Sequence, residues 1–109
     1  MNYRKITTER QFKDATGMSK KEFEHLLKEF ERTYLKEKGQ DYESYVAECV
    51  TEPPKLKTLG DALFFILFQK KNDMIWGSLG CIFEMAGSTA HQNFKYFLEL
   101  LELTLLKKK

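Results

Sequence analysis

The 109-residue sequence is poor in several residues and patterns that define whole classes of protein. It has two cysteines, two histidines, two prolines and one tryptophan. Its longest unbroken apolar run is Ala62–Phe68, far shorter than the roughly 20 residues that a membrane-spanning helix needs. No apolar secretion signal stands near Met1. We therefore expect one globular domain over residues 1–109, no membrane partner and a cytoplasmic location.

Cysteine and histidine are too scarce to predict a metal or cofactor site. Cys49 and Cys81 lie far apart, each among apolar residues, which predicts that both are buried as small hydrophobic side chains. No Cys-x-x-Cys pair occurs, and His25 and His91 add too few ligands for a metal ion. The sequence also has no glycine-rich phosphate loop and suggests no nucleophile–histidine arrangement. We expect no metal, no cofactor and no enzymatic activity.

Charge is distributed unevenly, although the formal net charge is only +2. Residues 72–106 carry a single basic residue, Lys95, and are otherwise acidic or neutral. Because phosphate contacts dominate the affinity of proteins for DNA, a DNA-binding role needs basic residues from elsewhere in the chain. The candidates for phosphate contacts are pairs of lysines in three other segments. These are Lys20 and Lys21, Lys55 and Lys57, and Lys70 and Lys71.

Apolar residues recur at helical spacing through most of the chain, and no strand-like alternation occurs. Thr8 is a predicted N-cap for a first helix that stops at Gly17. Ser19 opens a second helix through a capping box with Glu22, and this helix should end at Gly39. Its predicted buried stripe is Phe23, Leu26, Leu27, Phe30 and Tyr34.

Further helical segments follow. Asp41 can cap a short helix before the prolines of "TEPPKLK" force an extended linker. Thr58 opens a helix that is apolar nearly all round and therefore belongs at the centre of the core. Asn72 or Asp73 should cap the next helix, Met74–Phe83. The predicted fold class is all-α, a compact bundle of about five helices.

Residues 73–106 have the pattern of a helix-turn-helix unit, in which a second helix crosses a first at a tight corner. Gly80 is the small residue that lets the helices approach, Phe83 and Met85 flank the turn, and Ala90 faces inward. The outer face of the second helix presents residue types that can contact bases or phosphates. These residues are Gly87, Ser88, Thr89, His91, Gln92 and Lys95.

Two features weigh against DNA recognition by this corner. Glu84 places a negative charge beside the turn, and the outer face has no arginine. A helical corner with no ligand therefore stays open as an interpretation of this pattern alone.

Three segments carry a more specific pattern: "ATGMSKKEFEHLLKEFE", "KLKTLGDALFFILFQKKN" and "LGCIFEMAGSTAHQNFKYFLELLELTL". In this order, from roughly Phe12 to Leu105, they resemble the N-terminal helix-turn-helix region of insertion-sequence transposases of the DDE superfamily. The resemblance implies that the outer face of the second helix contacts double-stranded DNA at transposon ends. It implies no catalysis here, because the metal-binding carboxylates of such transposases belong to a separate downstream domain.

The segment "FKYFLELLELTLLKKK" is apolar on two sides of a helix. One stripe is Phe94, Phe97, Leu98, Leu101 and Leu105, whereas Leu100, Leu103 and Leu106 lie on other sides. Either the core covers both sides, or a second copy covers one of them and forms a homodimer through this helix. The alternative to DNA binding is therefore a helical protein–protein interaction or dimerisation module.

Overall fold

The computed structural model describes residues 3–48 and 54–107, with the backbone alone for Lys107. These residues form α-helices and one short 3-10 turn, and they contain no strand. The turn is Tyr3–Lys5, and the helices are α1 (Glu9–Thr16), α2 (Lys20–Lys38), α3 (Tyr42–Glu48), α4 (Leu59–Asn72), α5 (Trp76–Phe83) and α6 (Gly87–Lys107). The all-α prediction is confirmed. Each of these helices is too short or too polar to span a bilayer.

Side-chain caps start four of the helices where the sequence predicts them. The Ser19 hydroxyl accepts from the Glu22 amide while the Glu22 carboxylate accepts from the Ser19 amide, both at 3.2 Å, which completes the predicted capping box. Thr8, Asp41 and Thr58 also accept hydrogen bonds from backbone amides at helix starts. The ends of α1 and α2 are glycines with φ of 83° and 74°, as expected for left-handed stop positions.

The core is built around α4, whose residues 62–67 are buried on every side of the helix. This confirms the central position that its all-round apolar sequence predicts. Helices α1, α2 and α6 pack against it. Aromatic rings dominate the packing: Phe65 meets Phe83 of α5 edge to face at 4.8 Å, and Phe64 meets Phe12 of α1 at 6.1 Å.

The start of α5 differs from the prediction. Neither Asn72 nor Asp73 caps it, because Asp73 instead ends α4 in a left-handed conformation with φ of 46°. Its amide still donates to the Gln69 carbonyl at 2.7 Å, so the residue belongs to the last turn of α4. The buried Gln69 side chain then donates to the Met74 carbonyl at 2.8 Å and accepts from the Met74 amide at 3.1 Å. Helix α5 begins at Trp76 with no side-chain cap.

The prediction that Cys81 is buried is wrong, because the side chain is exposed. Helix α5 turns Leu79, Gly80 and Phe83 toward the core, and Cys81 lies on its opposite side. The sequence around it is apolar all round, so periodicity alone could not select the buried side. Cys49 lies outside the described residues.

Helix α6 buries a different set of positions from the predicted stripe. Phe97 and Leu101 are buried as expected, but Leu100 joins them and Leu105 is 46% exposed. Thr104 is also buried on this side of α6. Its hydroxyl donates a hydrogen bond to the Leu100 carbonyl at 2.9 Å, so it is not left unpaired in the core. The core therefore covers one side of α6, and the predicted second apolar side remains exposed at its C-terminal end.

Candidate nucleic-acid interface

The corner between α5 and α6 depends on Gly80 in the second turn of α5. A Cβ atom at this position would collide with the carbonyl oxygen of Met85 and lie 3.1 Å from the carbonyl carbon of Ala86. The Gly80 carbonyl in turn accepts a hydrogen bond from the Met85 amide at 2.8 Å. The backbone of the turn thus lies directly on the backbone of α5, which only glycine permits.

A second close approach lies at the start of α6. A Cβ atom on Gly87 would be 3.1 Å from the nitrogen and 3.2 Å from the Cα of Gly77. The first residue of α6 therefore packs against the first turn of α5. Gly87, which the sequence analysis places among the DNA-contacting residues, is half-buried in this contact between helices.

Four of the predicted DNA-contacting side chains are exposed on one face of α6. They are Ser88, His91, Gln92 and Lys95. Their spacing of three, one and three residues aligns them along one stripe of a helix. Ala90 and Phe97 are buried on the other side and fix the rotation of α6. We call these four residues the outer face of α6; Thr89 is half-buried beside it.

The imidazole of His91, on the outer face of α6, stacks on the indole of Trp76 of α5. The ring centroids are 4.7 Å apart and the rings are 23° from parallel. Trp76 also contacts Phe94 at 5.5 Å, so the indole bridges the exposed face and the half-buried side of α6. This contact orients His91 before any ligand binds. The pair could not be predicted from the sequence, because the partners come from different helices.

The predicted phosphate contacts are distributed over distant parts of the surface. Lys70 and Lys71 are exposed at the end of α4, where the Lys71 side chain lies beside Gly17. The Lys20 ammonium donates to the Thr7 carbonyl at 3.2 Å. Lys21 lines a groove with Leu105, roughly 25 Å along α6 from its first turn at 1.5 Å per residue.

Lys55 and Lys57 occupy a different position, beside the α5–α6 corner. They line a polar cleft of about 620 Å³ together with Arg4 and Lys5 of the N-terminal 3-10 turn. Glu84 of the corner lies at the same cleft. We call this the basic cleft. Arg4 and Lys5 stand out in the sequence as a basic pair, but no local pattern connects residues 4–5 with residues 55–57.

The N-terminal turn is fixed to the core by Tyr3. Its ring stacks on Phe64 at 5.6 Å and contacts Phe23 at 5.2 Å. Burial raises the pKa of the Tyr3 phenol, and the adjacent Arg4 guanidinium opposes this effect. The phenol is therefore protonated at neutral pH. Among the described residues no group of three or more histidine, cysteine, aspartate or glutamate side chains is placed to hold a metal ion.

Gly80→Ala is expected to destabilise the fold by about 1–3 kcal/mol, because the added Cβ would force the backbones of α5 and the turn apart. The matched control is Gly77→Ala, where nothing lies within 4 Å of the added atom. That change should stabilise by about 0.5–1 kcal/mol through helix propensity. Urea unfolding followed by circular dichroism measures both. Equal effects of the two substitutions would contradict the close approach at Gly80.

Glu84→Gly is expected to stabilise the chain by about 1 kcal/mol, because Glu84 holds a left-handed φ of 59° that is unfavourable for a residue with a Cβ atom. Glu84→Gln removes the charge but keeps the Cβ, so it should change the free energy of unfolding by less than about 0.5 kcal/mol. The same urea titrations compare the two variants. A larger gain for Gln than for Gly would show that charge, and not backbone conformation, limits stability at this turn.

Comparison with known proteins adds nothing to this geometry. The chain matches no protein-family model, no curated protein and no solved structure. Its function therefore has to be argued from the outer face of α6, the corner that positions this face and the basic cleft beside it.

Proposed function

We propose that this chain is the DNA-binding helix-turn-helix domain of a transposase-like protein, which it positions on transposon-end DNA without itself catalysing a reaction. The observation that carries the proposal is the exposed, polar outer face of α6. An α-helix fits the major groove of B-form DNA, where each base pair presents a distinct set of donors and acceptors. The close packing at Gly80 and Gly87 positions α6 on α5, and Ala90 and Phe97 are buried on the side away from this face.

The side chains of the outer face suit base recognition. Gln92 can form two hydrogen bonds with adenine, and Lys95 can donate to guanine or to a phosphate. Ser88, in the first turn, can donate to either. The first turn of a helix also directs its unpaired amides outward, and these favour phosphate oxygens. In the proposed complex, Ser88 and Gln92 read bases while His91 is held against Trp76 at the edge.

Gln92→Ala is expected to weaken binding by about 1–3 kcal/mol and to relax the preference at one base pair, because it removes a direct base contact. Lys95→Ala should also weaken binding, and neither change should alter the oligomeric state. The duplexes would be the terminal repeats that flank the coding region and unrelated sequences of equal length. Gel shift and fluorescence anisotropy measure the affinity.

The matched control for Lys95→Ala is Lys36→Ala, which removes an exposed positive charge from α2. This control should leave both affinity and base preference nearly unchanged. A wild-type chain that binds no duplex at low salt would refute the proposed function. Equal losses for the two lysine variants would indicate a nonspecific charge effect.

A second candidate function rests on the exposed leucines of α6. Leu103, Leu105 and Leu106 are 37%, 46% and 65% exposed near its C-terminal end. Apolar surface of this kind commonly marks an interface between proteins. In this alternative, the chain is a dimerisation or assembly module that binds no DNA.

Leu103→Lys and Leu106→Lys are expected to convert a dimer into monomers if this surface joins two copies, because a buried, unpaired charge is costly. Leu35→Lys is the control, since Leu35 is 52% exposed on α2. Sedimentation velocity measures the oligomeric state of all three variants. A monomeric wild-type chain at its highest soluble concentration would contradict a homodimer through α6.

A further inference from the structure

The basic cleft is an arrangement of charges that only the tertiary structure creates. It lies where the N-terminal 3-10 turn, the segment 55–57, the start of α4 and the end of α5 meet. Arg4, Lys5, Lys55 and Lys57 line it, and each is exposed. The cleft is concave, so several of these cations can face one bound group at the same time.

Arg4 lines the cleft and contacts residues of the start of α4 and the ring of Tyr3. Its guanidinium pairs with the Asp61 carboxylate at 3.0 Å and donates to the Thr58 hydroxyl at 3.1 Å. It also lies 4.5 Å above the ring of Tyr3. These contacts attach the N-terminal turn to the start of α4. Lys5, the next residue, is therefore carried on an anchored backbone.

The segment 55–57 of the cleft lining is anchored by Leu56, which is buried between the two lysines. The Tyr42 hydroxyl of α3 donates to the Leu56 carbonyl in a short hydrogen bond. Because the Leu56 side chain enters the core, Lys55 and Lys57 on either side are left at the surface. The N-terminal turn and the segment 55–57 thus both carry lysines on backbone that the core holds in place.

The charge balance of the cleft favours an anion. The Asp61 carboxylate is already paired with Arg4, so among the described residues Glu84 is the other acidic residue that lines the cleft. Within the described part of the chain, Lys5, Lys55 and Lys57 form no salt bridge. Three lysines that line one concave site create a positive potential that attracts phosphate oxygens.

We propose that the basic cleft binds phosphate oxygens, and that in a complex with DNA these belong to the backbone that flanks the groove occupied by α6. This inference deepens the proposed function and rests on it for the source of the phosphate. Glu84 lines the cleft and lies four residues before Ser88, so their Cα atoms are at most about 15 Å apart. The major groove is about 12 Å wide. A duplex that receives the outer face of α6 therefore brings a flanking phosphate within reach of the cleft.

The cleft also supplies positive charge beside the acidic corner segment, which DNA binding requires. Residues 72–106 are net acidic and carry only Lys95 as a basic residue, so they can supply few of the phosphate contacts themselves. The cleft places lysines from residues 5, 55 and 57 beside this segment. By contrast, Lys21 lies near the far end of α6, beside Leu105.

The test compares two triple variants that lose the same charge. One is Lys5→Gln/Lys55→Gln/Lys57→Gln in the cleft, and the control removes lysines from α1 and α2. The control is Lys13→Gln/Lys28→Gln/Lys36→Gln, whose residues are also exposed. Duplex affinity is measured over a range of salt concentrations for both variants and wild type. All six residues lie at the surface, and circular dichroism verifies that both variants fold.

The cleft variant is expected to make the slope of log affinity against log salt shallower by about 2–3, because each phosphate contact contributes about 0.9 to it. Its base preference should equal that of wild type, since phosphate contacts carry no sequence information. The control should keep the wild-type slope. Glu84→Gln should strengthen binding, because it removes the carboxylate at the cleft. Equal slopes for the cleft variant and the control would overturn the proposal.

A second measurement separates this inference from the proposed function. If wild type binds no duplex, DNA binding is refuted, and the cleft is then tested with inorganic pyrophosphate in a ¹H–¹⁵N NMR titration. Amide shifts at Lys5, Lys55 and Lys57 that exceed those at Lys13 and Lys28 support a phosphate site that serves a free phosphate compound. The absence of such shifts overturns the cleft as an anion site as well. If wild type binds duplex and Gln92→Ala has no effect, a shallower slope in the cleft variant still supports the cleft.

Discussion

The contact between backbones at the α5–α6 corner is the constraint on which the exposed face of α6 depends. The carbonyl of Met85 lies where a side chain at Gly80 would be, and Gly87 rests on Gly77. Two helices normally keep an interaxial distance of 8–10 Å because side chains separate them. Glycine at positions 80 and 87 removes that separation, so α6 starts directly on α5. Its rotation is then set by Ala90, which is fully buried, and the polar residues at spacing three and four are left outside.

In the proposed DNA complex, the outer face of α6 and the basic cleft have different tasks. The outer face of α6 would supply hydrogen-bonding side chains, but its segment is acidic and would provide little of the electrostatic affinity. The cleft supplies positive charge from the N-terminal turn and from residues 55–57, next to Glu84. Contacts to phosphates fix the register of a protein on a duplex, whereas contacts to base edges select the sequence. Because the two tasks are assigned to separate surfaces in the proposed complex, substitutions can change base contacts without changing phosphate contacts, and the reverse.

Two of the wrong predictions, at Cys81 and along the C-terminal part of α6, concern segments whose apolar residues lie on several sides of the helix. Helix α5 reads "WGSLGCIF", which is apolar nearly all round, so the exposed position of Cys81 could not be chosen from periodicity. Along α6, Leu100 and Leu105 are equally apolar, and only packing against α2 and α4 buries the first and exposes the second. The cap prediction for α5 failed for another reason, although aspartate is a residue type that commonly caps helices. The buried Gln69 side chain instead holds the Met74 backbone, and Asp73 ends α4.

The sequence by itself determined the helical class, the central position of α4 and most helix ends. N-caps such as Ser19–Glu22 and C-terminal glycines such as Gly39 act between residues three or four apart. They can therefore be recognised from short stretches of sequence. It also predicted the outer face of α6, because one face of a helix follows from its period. Only the tertiary structure stacked His91 on Trp76 and brought residues 4–5, 55–57 and 84 to one cleft. Those contacts join segments far apart in the chain, and their geometry is fixed by how Tyr3, Leu56 and Phe83 pack into a shared core.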